Sequence, residues 1–175
     1  MAEAKPAAFL DRDGVINIDR GYVGRVLDFE LIDGAAEAIS LLNRSGYLVF
    51  VVTNQSGIAR GYFTEADFFE VTAYMNALLA QGEARIDDIR YCPYHPNAEI
   101  ASYRACHPWR KPAPGMILDL VEKWNVDLDS SFLIGNSARD LEAARAAGIK
   151  GYLYEQGNLL EFLRSSALKM DRDVN

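Results

Sequence analysis

Four clusters of polar residues could do chemistry, and three of them sit at the ends of apolar runs. The first, Asp11-Arg12-Asp13-Gly14, follows Ala7 to Leu10. Carboxylates two positions apart on an extended backbone project to the same side. Their repulsion must be relieved by a proton or a cation. Mg²⁺ suits oxygen ligands and commonly bridges to a substrate phosphate, and an aspartate can itself attack phosphorus to form an aspartyl-phosphate. The second cluster, Thr53-Asn54-Gln55-Ser56-Gly57, ends a valine-rich run from Tyr47 and offers hydroxyl, amide and glycine N–H groups to phosphate oxygens. In Arg110-Lys111-Pro112, the lysine can neutralise a transferring phosphoryl group and the arginine can hold another anion through two hydrogen bonds. Gly135-Asn136, with Asp140 after it, adds further oxygen ligands. Taken singly, each has a plainer reading: a capped turn, a polar strand-to-helix turn, a solvated basic pair, an acid at a helix N-terminus. Their succession along one chain favours the chemistry.

The elements that must position them are legible as hydrophobic patterns. Ala7 to Leu10, Tyr47 to Thr53, Ile86 to Tyr91, Ser131 to Ile134 and Gly151 to Tyr154 read as buried parallel strands. Helical periodicity occupies Gly34 to Ser45, Thr64 to Gln81, Pro114 to Trp124 and Ala138 to Ala147, with Gly46, Gly82 and Gly148 as stops. Thr64 followed by Asp67 predicts a capped N-terminus. Alternating strands and helices predict an α/β fold, a doubly wound Rossmann-like parallel sheet, in which ligands bind beyond the carboxyl ends of the strands. The irregular stretches Gly14 to Asp33 and Pro93 to Pro112 are long enough to be functional loops.

At 175 residues the chain suits a single domain, residues 1–175, with a core of about 7–163 and a polar tail, 166–175, expected to fray. A formal charge of −7 argues against a nucleic-acid partner, which would need clustered cations; an anionic substrate must instead find a local positive site. No stretch reaches the ~20 apolar residues that span a bilayer, so no membrane partner is expected. A cytoplasmic location and a monomer are the expectations. Two cysteines do not make a disulfide scaffold.

The ordered motifs resemble the haloacid dehalogenase (HAD) superfamily. The similarity runs from about Ala7 to Leu163 and is greatest to the branch of D-glycero-D-manno-heptose 1,7-bisphosphate 7-phosphatases and related histidinol-phosphatase domains. Asp11 through Asn17, Thr53 through Gly61, Arg110 through Met116 and Gly135 through Asp140 carry it. The resemblance implies an essentially capless fold and a Mg²⁺-dependent phosphatase acting on a small phosphorylated sugar, with the heptose bisphosphate, cleaved at its 7-phosphate, as the first substrate. Histidinol phosphate or another sugar phosphate is the alternative. It implies Asp11 as nucleophile and Asp13 as general acid and base. Thr53 and Lys111 would hold the transferring phosphate; Asn54, Gln55, Arg60 and Arg110 would bind the substrate. Asp11, the backbone carbonyl of Asp13 and position 136 would hold Mg²⁺, with Asp140 a further carboxylate nearby.

Two departures from the family pattern matter. An aspartate is expected where Asn136 stands; a neutral amide weakens the attraction for Mg²⁺ and leaves open a weakly active or inactive protein that only binds phosphorylated ligands. The family's zinc loop, Cys-x-His and later Cys-x-Cys, is here Cys92-Pro93-Tyr94-His95 and Cys106-His107-Pro108-Trp109. A shifted set of Cys92, His95, Cys106 and His107 is chemically admissible for tetrahedral Zn²⁺. Adjacent Cys106 and His107 make an awkward pair, so an aromatic-packed, metal-free loop is preferred over zinc.

Overall fold

The computed structural model describes residues 4–168. Five parallel strands form its sheet: β1 (Lys5–Leu10), β2 (Leu48–Asn54), β3 (Asp88–Cys92), β4 (Val126–Gly135) and β5 (Lys150–Leu153), in the order β3-β2-β1-β4-β5. The chain winds outward from β1 to β3, then crosses back to the far side of β1. The switch therefore falls between β1 and β4, where a crevice opens beyond the strand ends.

Alternate residues of the central strands enter two separate cores, as their two-residue period requires. Ala8 and Leu10 of β1 face α1 (Ala35–Arg44), α3 (Glu65–Gln81) and α6 (Leu159–Ser165), packing with Ile39, Met75 and Leu163. Ala7 and Phe9 face α4 (Gly115–Trp124) and α5 (Ala138–Ala146), among Ile117, Leu120 and Ala143. Burial on both faces explains why β1 and β2 lack polar alternation.

The strand and helix expectations hold, with instructive differences. β4 begins at Val126 rather than Ser131, since Asp127 to Ser130 are partly or fully exposed and read as loop. Its register against β1 shifts between Pro6 and Ala8, and Ser131 Oγ mends the ladder by accepting from the Ala7 N–H at 2.8 Å while donating to the Asp127 carbonyl. The single turn α2 (Ser56–Ala59) and α6 are additional; α2 is too short for a periodic signal, and α6 is capped by Asn158, whose side chain accepts from the Glu161 N–H. Thr64 and Asp67 form the expected reciprocal cap on α3. Of the tail expected to fray, Ala167 is buried and Leu168 packs on the core; residues 169–175 lie outside the described residues.

Candidate active site

β1, β2 and β4 end side by side, and their last residues with the chain that follows form the floor of a cavity of about 270 Å³. Asp11 leaves β1 as its N–H bonds to the Ile134 carbonyl of β4. Gly14 then takes φ +82°, and a Cβ there would lie 1.9 Å from Asn136 Nδ2. This position therefore requires glycine both for backbone sign and for room. Thr53 is buried near the end of β2. Lys111 arrives on the loop before α4, fixed by a reciprocal pair of 3.0 Å bonds with Asn54: its N–H donates to Asn54 Oδ1, and Asn54 Nδ2 donates to its carbonyl.

Lys111 is the electrostatic centre. Its side chain is 3 % exposed, with Nζ 3.0 Å from Asp11 Oδ1, 2.6 Å from Asp140 Oδ1 and 2.8 Å from the Val52 carbonyl, to which it donates. Burial alone would lower its pKa, but the two carboxylates outweigh burial and raise it. Burial pushes Asp11 up to about 6, opposed by Lys111 and reinforced by Asp140 and Asp13. Asp140 also feels burial, but Lys111 and its bonds from Ser137 hold its carboxyl below the usual range. A Cβ at position 135 would lie 2.1 Å from Asp140 Cβ, so Gly135 lets this aspartate fold back on the strand end. Its Oδ2 accepts from the Ser137 N–H at 3.0 Å and hydroxyl at 2.7 Å, closing the cap of α5. With Oδ1 on Lys111, neither oxygen is free to replace a carboxylate at position 136.

Asp13 sits in a cradle of donors. Arg12 Nη2 lies 3.0 and 3.1 Å from its two oxygens, Asn17 Nδ2 donates to Oδ1 at 3.0 Å, and Gln55 Nε2 donates to Oδ2 at 2.9 Å. Asn136 faces the cavity, and among the described residues its amide has no hydrogen-bond partner. Asp11, the neighbouring Asp13 backbone and Asn136 thus offer hard oxygen donors where carboxylates outnumber the ammonium. This arrangement fits Mg²⁺, which is commonly held by one or two carboxylates with water and substrate oxygens completing the set.

The cavity wall brings together Asp11, Asp13, Thr53, Asn54, Gln55, Arg110, Lys111, Asn136 and Asp140 as the sequence anticipated. The residues expected to contact substrate are placed differently from one another. Arg60 is not on this wall; its Nε is buried without a partner. The Asn54 amide is committed to Lys111, and that of Gln55 to Asp13, Thr53 and Arg12. Arg110 keeps its cation at the cavity while one nitrogen donates to the Tyr94 carbonyl at 3.3 Å. Burial lowers its pKa, aided by repulsion from Arg139 and Arg60. Arg139, in the first turn of α5, also lines the cavity. An isolated arginine on a helix gave no signal for it in the sequence.

The Cys/His loop assembles no tetrahedral set. Cys92 is buried and Cys106 exposed, and the imidazoles of His95 and His107 each accept the N–H two residues on. The Tyr94 ring stacks on His107, with centroids 4.5 Å apart and planes at 10°, and Trp109 meets His107 edge-on. Among the described residues, no three His, Cys, Asp or Glu side chains gather to hold a metal.

A largely buried carboxylate paired with a buried lysine, and a cradled second aspartate, at the switch of a 3-2-1-4-5 sheet define a HAD-type hydrolase. A family model described as "HAD-hyrolase-like" matches residues 108–168. The D-glycero-beta-D-manno-heptose-1,7-bisphosphate 7-phosphatase of Rhodopseudomonas palustris is 48 % identical over 171 residues, 98 % of this chain and 95 % of the relative. That of Photorhabdus laumondii is 47 % identical over 85 % of this chain and 79 % of the relative. The crystal structure of D,D-heptose 1,7-bisphosphate phosphatase from B. bronchiseptica, complexed with magnesium and phosphate, has 31 % identity and a TM-score of 0.79, covering 97 % and 99 % of the two chains. The chain belongs to this phosphatase family of the HAD superfamily, and it is a phosphoric monoester hydrolase.

Proposed function

We propose that the protein hydrolyses the 7-phosphate of D-glycero-D-manno-heptose 1,7-bisphosphate, with Mg²⁺ bound by Asp11, the Asp13 carbonyl and Asn136. The observation carrying the substrate choice is the pair Arg110 and Arg139 on the cavity wall, neither of which has a carboxylate partner among the described residues. Two cations facing one cavity of an acidic protein repel each other unless an anion lies between them. A second phosphate supplies that anion. A substrate carrying an ammonium group, such as histidinol phosphate, would meet repulsion instead. The names of the relatives point the same way.

In this reading Lys111 and the Thr53 hydroxyl hold the phosphoryl oxygens, and the metal, when bound, offsets negative charge between nucleophile and phosphate. An Asp11 oxygen attacks phosphorus; the bond to the sugar oxygen breaks, and that oxygen takes the proton of Asp13. Asp13, now ionised, removes a proton from water as the water oxygen attacks phosphorus. The Asp11–phosphorus bond then breaks, releasing phosphate and restoring both aspartates.

The reading includes a cytoplasmic monomer with a metal-free aromatic loop. Two free cysteines suit a reducing compartment, and among the described residues no helix is long and apolar enough to cross a membrane. A turnover screen of heptose bisphosphate, heptose monophosphates and histidinol phosphate, each with and without Mg²⁺, tests it. Mg²⁺-dependent turnover with the bisphosphate preferred is expected. Preference for histidinol phosphate would overturn the substrate, and absence of turnover on every ester would favour a phospho-ligand-binding protein.

A further inference from the structure

Gln55 is 3 % exposed and sits between the group that holds phosphate and the group that moves protons. Its two amide hydrogens go to Thr53 Oγ1 at 2.9 Å and Asp13 Oδ2 at 2.9 Å, while its Oε1 lies 3.4 Å from Arg12 Nη2. Charge fixes the amide's orientation. A guanidinium offers only donors, so the oxygen must face Arg12, which turns the nitrogen toward Asp13. Flipping the amide would set a donor against a donor.

Arg12 completes the frame. It is 1 % exposed, anchored by donating to the Val23 carbonyl at 2.7 Å, and its Cζ lies 5.5 Å over the Phe68 ring. Its carboxylate partner is Asp13. Asn17, also buried, holds the other Asp13 oxygen. A carboxylate gripped on both oxygens by buried groups has little rotational freedom. Side-chain rotation is the chief freedom it would otherwise lose in reaching a productive geometry.

We propose that Gln55 is a positioning residue: it aims the Asp13 carboxyl at the leaving oxygen and then at water, without itself binding substrate. This rests on the phosphatase reading and assigns Gln55 a role different from substrate binding. Two consequences separate it from a substrate contact. Losing Gln55 should lower kcat and leave KM nearly unchanged. The loss should also depend on the leaving group: a sugar or glycerol oxygen needs a proton from Asp13 to depart, whereas p-nitrophenolate leaves without one.

The test is rapid-quench kinetics of Gln55→Met, which keeps length and removes every hydrogen bond, with glycerol phosphate and p-nitrophenyl phosphate. General acid–base assistance contributes ~10²–10⁴-fold, so kcat for glycerol phosphate should fall by ~30-fold or more with KM changed by under ~3-fold. With p-nitrophenyl phosphate the first turnover should stay within about 3-fold of the unmodified protein. Steady-state turnover should then slow, giving a nitrophenol burst as aspartyl-phosphate accumulates, because water attack still needs Asp13. In an Asp13→Asn background, Gln55→Met should cost under ~3-fold more, since groups acting as one unit are not additive.

Gln55→Leu, which also removes every hydrogen bond and adds no charge beside Asp13, should repeat the split and serves if Gln55→Met fails to fold. Equal slowing of both esters in the first turnover, or a raised KM with kcat retained, would overturn the assignment. So would wild-type kinetics in either variant. Absence of turnover of both esters by the unmodified protein would instead refute the phosphatase reading on which the assignment rests.

Discussion

Asp11→Asn should abolish turnover and, in the absence of metal, make the protein more stable. Asp11 is 13 % exposed, and its carboxylate shares Lys111 with Asp140 while Asp13 adds further negative charge. Burial and these neighbours raise its pKa from 3.8 to about 6. At ~1.4 kcal/mol per pH unit, holding Asp11 ionised in the fold costs ~3 kcal/mol. The asparagine keeps the shape and an oxygen for the Arg12 N–H, which Asp11 Oδ1 binds at 2.8 Å. It gives up attraction to Lys111, so a net gain of about 1–3 kcal/mol is expected near pH 7.5. The direction with pH follows from linkage. The folded state keeps its proton to a higher pH than the unfolded chain does. Stability from this group is therefore fully present below about 4 and is lost as pH rises through about 6. Urea melts of both forms in EDTA should coincide near pH 4 and separate by pH 7, with the variant the more stable. Excess Mg²⁺ should narrow the gap by binding the unmodified site more strongly. A variant less stable than the unmodified protein at pH 7.5 in EDTA would refute the reasoning, because the pairing with Lys111 would then outweigh burial and repulsion.

Asn136→Asp should lower the Mg²⁺ midpoint for activity by about tenfold and raise maximal turnover, since Asp140 is committed to Lys111 and Ser137 and cannot substitute; equal midpoints in a Mg²⁺ titration would exclude a metal-tuning role. Arg139→Ala should raise KM for the heptose bisphosphate by about tenfold, the scale of ~1.4 kcal/mol, and leave a monophosphate little changed. Steady-state kinetics on both substrates check this. Asp88 accepts from Lys123, Trp124, the Ile89 N–H and Arg90. Burial works against its ionised form, but these donors prevail and hold its pKa near 2. Discounted for solvent screening, Asp88→Asn should cost about 1–2 kcal/mol at pH 7. This stability is present above about 4 and lost as pH falls toward 2, so denaturant melts at pH 7 and 3 should show the cost shrink while turnover at pH 7 is unaffected. Elemental analysis should find no stoichiometric zinc; one zinc per chain, lost in Cys92→Ser, would show that the aromatic loop rearranges to bind it.

Several features of the site were legible in the sequence because their causes are local. Runs such as Ala7–Leu10 and Leu48–Val52 are buried on both sheet faces, so parallel strands announce themselves as unbroken apolar runs and mark where polar loops emerge. Asp11, Asp13, Thr53, Lys111 and Asn136 could therefore be placed around one crevice from their positions after strands or within motif loops. The outer half of β4 was hidden because Asp127 to Ser130 face solvent, leaving no pattern for ladder bonds to reinforce. Partnership was decided only by tertiary structure. Asn54 is bonded to Lys111, 57 residues away, and Gln55 to Asp13, 42 residues away. A polar side chain in sequence displays its donors and acceptors but not who satisfies them, so Gln55 read as a substrate ligand until burial brought Arg12, Asp13 and Thr53 around it. Arg139 likewise became part of the site only when the β1–β4 switch turned the first turn of α5 toward Arg110.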